Sequence, residues 1–115
     1  LFDWLPLAAL VEDKILCLHG GIGASLNTLE DIENIKRPLE VMHEVQDEES
    51  QVVLDILWSD PTDSDSELGI YANHLRDPSE TGNIVKFGPD RVESFLKKNN
   101  LNMIIRAHEC VMDGF

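Results

Sequence analysis

The chain has 115 residues, the length of one small domain. Nine Lys and Arg residues against 22 Asp and Glu residues give a formal net charge of −13, which argues against a nucleic-acid binder and against docking on anionic lipid. No apolar run approaches the roughly 20 residues of a membrane span, and the first residues do not have the basic region of a signal peptide. Two cysteines, Cys17 and Cys110, are too few for a disulfide framework, so we expect a reducing compartment, cytoplasmic or nuclear.

The first part of the chain is predicted to alternate helix, strand and helix. Its apolar pattern predicts a short helix over 4–11, a buried strand over 14–18 and a helix over 28–37. The second helix has a capping residue in Thr28, acidic residues in its first turn and basic residues in its last. Pro38 then ends it, because proline cannot continue a helix.

The middle of the chain is predicted to be mostly loop. Residues 43–51 carry four acids and no base, which is typical of a solvated loop. Residues 51–57 form a short apolar helix that ends at Pro61, and the turn formers of 62–83 then predict a long surface loop.

The last part of the chain is predicted to be strand, helix and strand. Residues 83–87 form a short strand, and Gly88 with Pro89 opens a helix that carries lysines near its end. Residues 101–105 form a second buried strand that runs into the sequence RAHE. The order of elements is therefore that of an α/β or α+β fold.

Two of the four histidines follow predicted strands directly. His19 ends LCLHGG and His108 ends IIRAHE, and strand ends are where layered α/β proteins place ligands and metals. Each is either a core histidine with satisfied hydrogen bonds or a metal ligand, since a neutral imidazole binds borderline metals. The two glycines after His19 would let backbone or a ligand approach closely. His43 and His74 have no such context and are expected at the surface.

Other candidate residues also have a plain interpretation beside a functional one. Trp58 and Asp60, in WSDP, are either a packing residue with a proline-ended turn or part of a site. Arg76 either pairs with a neighbouring acid of its loop or forms a guanidinium fork for a phosphate. Arg106 either contacts a site or anchors a carboxylate. The motifs of P-loops, dinucleotide-binding folds, nucleophile elbows and paired-cysteine zinc sites are absent.

Four motifs occur in a fixed order: LCLHGGIG, DILWSDP, the FG pair at 87–88 and RAHE. Together they resemble the C-terminal part of the catalytic domain of metal-dependent protein serine/threonine phosphatases, the phosphoprotein phosphatases of the calcineurin-like metallophosphoesterase group. The sequences FDWLPLAALVEDKILCLHGGIG, NTLEDIENIKRP and RAHECVMDGF are most similar to members that carry Kelch repeats. The resemblance implies part of a β-sandwich flanked by helices, with two metal ions at strand ends.

The resemblance also implies roles for single residues. His19 and His108 would bind the same one of the two metal ions. Arg76, in a sequence similar to the family's Asn-X-Arg-Gly motif, would clamp the phosphate. Trp58 and Asp60 would line the substrate groove, to which Asp60 would add acidic character. In the full-length enzyme two divalent ions, manganese or iron and zinc, would activate a hydroxide that attacks phosphoserine or phosphothreonine.

Three earlier motifs of the family, Gly-Asp-X-His-Gly, Gly-Asp-X-X-Asp-Arg-Gly and Gly-Asn-His-Glu, occur nowhere in the sequence. We therefore expect residues 1–115 to be the C-terminal portion of a single catalytic domain, inactive as an isolated chain. Expected partners are phosphoprotein substrates, regulatory subunits or an attached Kelch domain, and neither nucleic acid nor membrane. The alternatives are a non-catalytic module derived from the same fold and a metallophosphoesterase for small phosphate esters.

Overall fold

The computed structural model describes residues 1–39 and 45–114. Strands and helices alternate along the chain, so the predicted mixed α/β class is confirmed. After a 3-10 turn at Phe2–Trp4, the elements in chain order are β1 (Ala8–Val11), β2 (Ile15–Leu18), α1 (Leu29–Glu33), α2 (Glu48–Trp58), β3 (Asp60–Pro61), β4 (Ile70–Ala72), β5 (Val85–Phe87), α3 (Pro89–Lys98) and β6 (Met103–Arg106).

The helix predicted over 4–11 is wrong, because β1 forms there and pairs antiparallel with β2. The turn between them has left-handed backbone at Glu12 and Asp13, with φ of 52° and 57°. Lys14 closes it by donating its amide hydrogen to the carbonyl of Val11 at 3.0 Å. Two positive φ values are typical of the tight hairpin turn whose twist matches that of its strands. Strand pairing therefore overrides the helical preference of the Ala-Ala-Leu segment.

The strands predicted over 14–18 and 101–105 are confirmed as β2 and β6, and they run parallel in one sheet of order β1-β2-β6. Leu18 pairs with Arg106 at their carboxyl ends. The expected burial of β6 is wrong for one face, since Met103 and Ile105 are about half exposed. The carboxyl ends of parallel strands lie at the same sheet edge, so the residues that follow β2 and β6 meet there.

The predicted cap of α1 is confirmed, although the helix is shorter than 28–37. The Thr28 hydroxyl accepts the amide hydrogen of Asp31, and the Asp31 carboxylate accepts that of Thr28. This reciprocal pair satisfies two donors that the first turn of a helix leaves free. The following residue Ile35 is 7% exposed and packs in the core.

The solvated loop predicted over 43–51 is corrected at its C-terminal side. Asp47 caps α2 and accepts the amide hydrogen of Ser50 at 2.8 Å, so the acids that follow occupy the first helical turn. Negative charge is favourable there because it faces the positive end of the helix dipole. Residues 45 and 46 lie outside any helix or strand, as predicted, and residues 43 and 44 lie outside the described residues.

The second sheet has the order β3-β5-β4, with β3 parallel and β4 antiparallel to β5. The loop predicted over 62–83 is therefore interrupted by β4. The helix predicted after Gly88 is confirmed as α3, with Pro89 in its first turn. One core joins both sheets and the helices; it contains Leu16, Leu18, Ile22, Leu26, Ile35, Val52, Val53, Ile56, Phe87, Phe95 and Leu101. Among the described residues no helix is long and apolar enough to cross a membrane.

Candidate metal centre

The two histidines that follow β2 and β6 lie side by side at one sheet edge. His19 Nε2 is 3.0 Å from His108 Nδ1, and the ring centroids are 4.7 Å apart. The backbone holds the two loops together, since Ala107 donates its amide hydrogen to the His19 carbonyl at 3.0 Å. Two residues 89 positions apart in sequence thus present ring nitrogens to one point.

This pair fits a shared metal ion. Nitrogens that each lie about 2.0–2.1 Å from one ion are themselves about 3 Å or more apart. His108 Nε2 is buried without a hydrogen-bond partner in the described part of the chain, and Asp60 Oδ1 lies 3.8 Å from it. A metal-bound histidine commonly turns its second nitrogen toward a carboxylate. Burial and the Arg76 charge lower the pKa of His108, which favours the neutral imidazole that binds metals.

The chain supplies only part of such a centre. Within 1–39 and 45–114, no group of three or more His, Cys, Asp or Glu side chains is arranged to hold a metal ion. His74 is exposed, and its Nδ1 lies 3.9 Å from Glu80 Oε1. His43 lies outside the described residues. A complete site therefore needs ligands beyond His19 and His108.

Trp58 and Asp60 border the histidine pair in different ways. Trp58 is half-buried, and its ring is 5.7 Å from that of His108 in an edge-to-face arrangement. Asp60 is 1% exposed, so the expectation that it adds acidic character to a groove is corrected. Its carboxylate is instead bound by Arg76, Arg106 and Asn73. Hydrogen bonds and positive charge lower the pKa of Asp60, although burial, the largest single influence, acts to raise it.

Arg76 does not pair with the acids next to it in sequence. Its Nε donates to Asp60 Oδ2 at 3.1 Å, and its Nη2 donates to the His108 carbonyl at 3.0 Å. Asp77 accepts instead from Thr81 and from the amide of Gly82. No residue in the described ranges accepts a hydrogen bond from Nη1 of Arg76, and the side chain is 23% exposed. The structure thus brings Arg76 to the histidine pair with part of its guanidinium available for an anion.

The sequence left the role of Arg106 open and assigned none to Asn73. Arg106 donates to the Gly20 carbonyl at 2.6 Å and to Asp60 Oδ1 at 2.9 Å, so it anchors a carboxylate and also contacts the loop of His19. Asn73 is 1% exposed, donates to Asp60 and accepts the amide hydrogen of Arg76. Its place in the sequence NHLRD, close to Arg76, was the signal from which Asn73 could have been assigned a role.

The glycines after His19 have a different reason from the expected one. A Cβ on Gly20 would lie 2.9 Å from the backbone of Leu57 and Ser59, and a Cβ on Gly21 would overlap the ring of Phe87. The amide of Gly20 also donates to the Ile56 carbonyl at 2.7 Å. The glycines therefore let β2 approach the end of α2 and a core phenylalanine. Packing against protein, rather than space for a ligand, accounts for both.

Comparison with known proteins agrees with this geometry. The family model of the calcineurin-like phosphoesterases matches residues 1–112. The chain is 54% identical over all 115 residues to the serine/threonine-protein phosphatase BSL2 of Arabidopsis thaliana, of which it spans 10%. It also superposes on a protein serine/threonine phosphatase from Saccharomyces cerevisiae, described as similar to human phosphatase PP5, with a TM-score of 0.71 and 33% identity. That match covers 96% of this chain and 30% of the yeast chain. The resemblance noted in the sequence is confirmed.

Proposed function

The chain belongs to the calcineurin-like phosphoesterase family, and on that premise we propose that residues 1–115 are the C-terminal portion of the catalytic domain of a protein serine/threonine phosphatase. The observation that carries the proposal is the 3.0 Å approach of His19 Nε2 to His108 Nδ1 at the shared edge of two parallel strands. The family depends on divalent metal ions, and these nitrogens are the donors that this chain would contribute to one of them.

The face of the first sheet that includes Val11, Met103 and Ile105 supports the assignment to a larger domain. These side chains are 45%, 50% and 49% exposed. They lie on one face, because Val11 and Met103 both pair with Ile15, and Ile105 pairs with Cys17. Exposed apolar faces of this kind are ordinarily covered by other protein. We propose that the rest of the catalytic domain covers it.

In the proposed enzyme each residue of the site has a separate task. His19 and His108 hold one metal ion, which we propose to be manganese, iron or zinc. When bound, the two metal ions of the site supply Lewis acidity that activates water and neutralises charge on the phosphoryl group. Arg76 directs its Nη1 donors to the phosphate, and Trp58 offers an apolar surface to the substrate beside it.

The substrates and surroundings of the whole protein are also proposals. Both matched proteins are named as serine/threonine phosphatases, which favours phosphoproteins over small phosphate esters and over a non-catalytic module. Regulatory subunits and an attached Kelch domain remain proposed partners. The free thiols of Cys17 and Cys110 support a cytoplasmic or nuclear location.

The test compares three single substitutions in the complete protein. His19→Ala and His108→Ala should each abolish Mn²⁺-dependent hydrolysis of a phosphoserine peptide and release one of two bound ions. His74→Ala is the matched control, since that side chain is 76% exposed, and it should keep activity and both ions. Residues 1–115 alone should show no hydrolysis, because they lack the remaining ligands. Full activity in the His19 and His108 variants would refute the proposal.

A further inference from the structure

The loops that carry His19 and His108 are joined by a buried carboxylate. Asp60 Oδ1 accepts a hydrogen bond from Arg106 Nη2 at 2.9 Å. Oδ2 accepts from Arg76 Nε at 3.1 Å and from Asn73 Nδ2 at 2.9 Å. Donors on both oxygens fix the carboxylate, because charge-assisted hydrogen bonds are strong and directional.

Each arginine extends from Asp60 to the backbone of one histidine loop. Arg106 Nε donates to the carbonyl of Gly20, the residue after His19, at 2.6 Å. Arg76 Nη2 donates to the carbonyl of His108 at 3.0 Å. One carboxylate therefore connects both loops through two planar guanidinium groups, each of which joins Asp60 to one loop carbonyl.

The backbone of His108 needs such a restraint. Its φ is +69°, in the left-handed region that costs a non-glycine residue about 1–2 kcal/mol. Residues persist in that region where the surrounding structure holds them. The contact of Arg76 with the carbonyl of His108 is made from outside the loop and depends on where Asp60 places the guanidinium.

We propose that Asp60 is a positioning residue that sets the separation and orientation of the His19 and His108 imidazoles through Arg76 and Arg106. Its side chain is 2% exposed, so it does not touch substrate. It acts through the arginines, and its Oδ1 also lies 3.8 Å from His108 Nε2. The inference rests on the proposed function, in which the two imidazoles bind one ion. It adds that the affinity for that ion depends on a carboxylate which is not itself a ligand.

Asp60→Asn in the complete protein tests this. Asparagine keeps the size of the side chain but replaces one acceptor oxygen by an NH2 group, which faces a guanidinium donor. Asp55→Asn is the matched control, because Asp55 is an equally buried aspartate that accepts from Ser25 and Gln51 and from neither Arg76 nor Arg106. Isothermal titration with Mn²⁺ measures the dissociation constant of each bound ion.

We expect Asp60→Asn to lower the affinity for one of the two Mn²⁺ ions by about 10–100-fold. This is the range found when residues that orient metal ligands are replaced. The Mn²⁺ concentration for half-maximal phosphatase activity should rise by the same factor. Asp55→Asn should leave both quantities within about two-fold of the unsubstituted protein. Equal affinities in the Asp60 and Asp55 variants would overturn the inference.

Arg106→Lys covers the case in which Asp60→Asn does not fold, as judged by circular dichroism. A single ammonium group keeps the charge beside Asp60 but does not reach both Asp60 and the Gly20 carbonyl, so metal affinity should again fall. Unchanged affinity in folded Arg106→Lys would count against the inference. Failure of the proposed function is recognised separately, because the unsubstituted protein would then bind no Mn²⁺ and show no phosphatase activity.

Discussion

Asp55 in α2 and Asp60 in β3 are five residues apart and equally buried, at 1% exposure each, yet their surroundings are opposite. Asp60 is bound by two guanidinium groups and an amide. Asp55 receives hydrogen bonds from the amide of Ser25 at 2.8 Å and from Gln51 at 3.0 Å. Asp60 joins the loops of the candidate centre, and Asp55 holds the turn after β2 against α2.

The pKa directions of the two carboxyls show what this difference means. Burial is the largest influence on both, and it acts to raise the pKa. At Asp55 burial prevails over the hydrogen bonds, so the pKa is raised. At Asp60 the bonds from Asn73 and Arg76, with the charge of Arg76, reverse the direction. The hydrogen bonds and charge at Asp60 therefore outweigh its burial and favour the ionised form, whereas those at Asp55 do not and leave it costly to ionise.

Removal of each carboxylate should separate the two regions most clearly. Asp60→Ala removes the carboxylate that Arg76 and Arg106 share and leaves only Arg106 with another anion, Glu109. Breaking a buried ion pair in this way costs about 3–5 kcal/mol. Asp55→Ala leaves neutral donors unsatisfied, which costs about 1–3 kcal/mol. Urea denaturation of both variants gives the two free energies of unfolding. A larger loss for Asp55→Ala would break the comparison.

The turn that Asp55 supports should be intolerant of a single methyl group. Gly23 has a φ of +49°, and a Cβ there would overlap the Asp55 carboxylate. Left-handed strain and overpacking together predict a loss of about 2–4 kcal/mol for Gly23→Ala. Gly82→Ala is the control, since its φ is +78° and a Cβ there would meet no other atom within 4 Å. Thermal unfolding of both variants isolates the packing contribution, and equal losses would show that Asp55 is not involved.

The raised pKa of Asp55 gives its contribution to stability a definite pH dependence. A carboxyl whose pKa is higher in the folded state contributes stability that is present below its unfolded-state pKa and is lost as pH rises through the folded-state pKa. The destabilisation by Asp55→Asn should therefore be largest in acid and shrink toward neutral pH. Asp31 has a lowered pKa despite burial, through hydrogen bonds in the α1 cap, so Asp31→Asn should show the opposite slope. Unfolding free energies measured between about pH 3 and pH 7 decide this.

The smallest effect is expected at an ion pair of the second sheet that is open to solvent. Lys86 Nζ lies 2.8 Å from Asp63 Oδ2, and the Asp63 side chain is 74% exposed. Exposed pairs contribute about 0.2–1 kcal/mol, so Lys86→Met should lower stability by no more than that. The loss should disappear in 1 M salt, about the concentration at which screening acts over roughly 3 Å. A loss as large as that of Asp60→Ala would show that burial does not distinguish these pairs.

The resemblance to the phosphatase family implied that His19 and His108 bind one ion and therefore lie together, but not what holds them. Two apolar strands that each end in a histidine are a local pattern, and parallel pairing brings their ends together. The partners of Asp60 are distant in sequence, and both arginines have nearer acids available. Arg76 binds Asp60 instead of Asp77. Arg106 donates to Glu109 through Nη1 only, and its Nη2 donates to Asp60. The carboxylate that Arg76 and Arg106 share is therefore set by tertiary packing and not by distance along the sequence.

The errors in secondary structure have the same origin. The segment that forms β1 carries Ala-Ala-Leu, which favours helix, and becomes a strand only because β2 lies beside it. Glu48 and Glu49 were assigned to a loop because they belong to a run of acidic residues. Asp47 and Ser50, on either side of them, instead form a helix cap. The capped helix α1 and the proline-initiated helix α3 were predictable, because their signals lie within a few residues of each other.

The contacts of Gly20 and Gly21 show that the residues of the motif His19-Gly20-Gly21 are required for two different reasons. In a mutational scan that scores protein abundance and catalytic activity separately, substitutions at these glycines should deplete abundance, because their missing side chains admit the end of α2 and Phe87. Substitutions at His19 should spare abundance and remove activity. The two glycines of the motif would then be required for folding, and its histidine would be required for the chemistry.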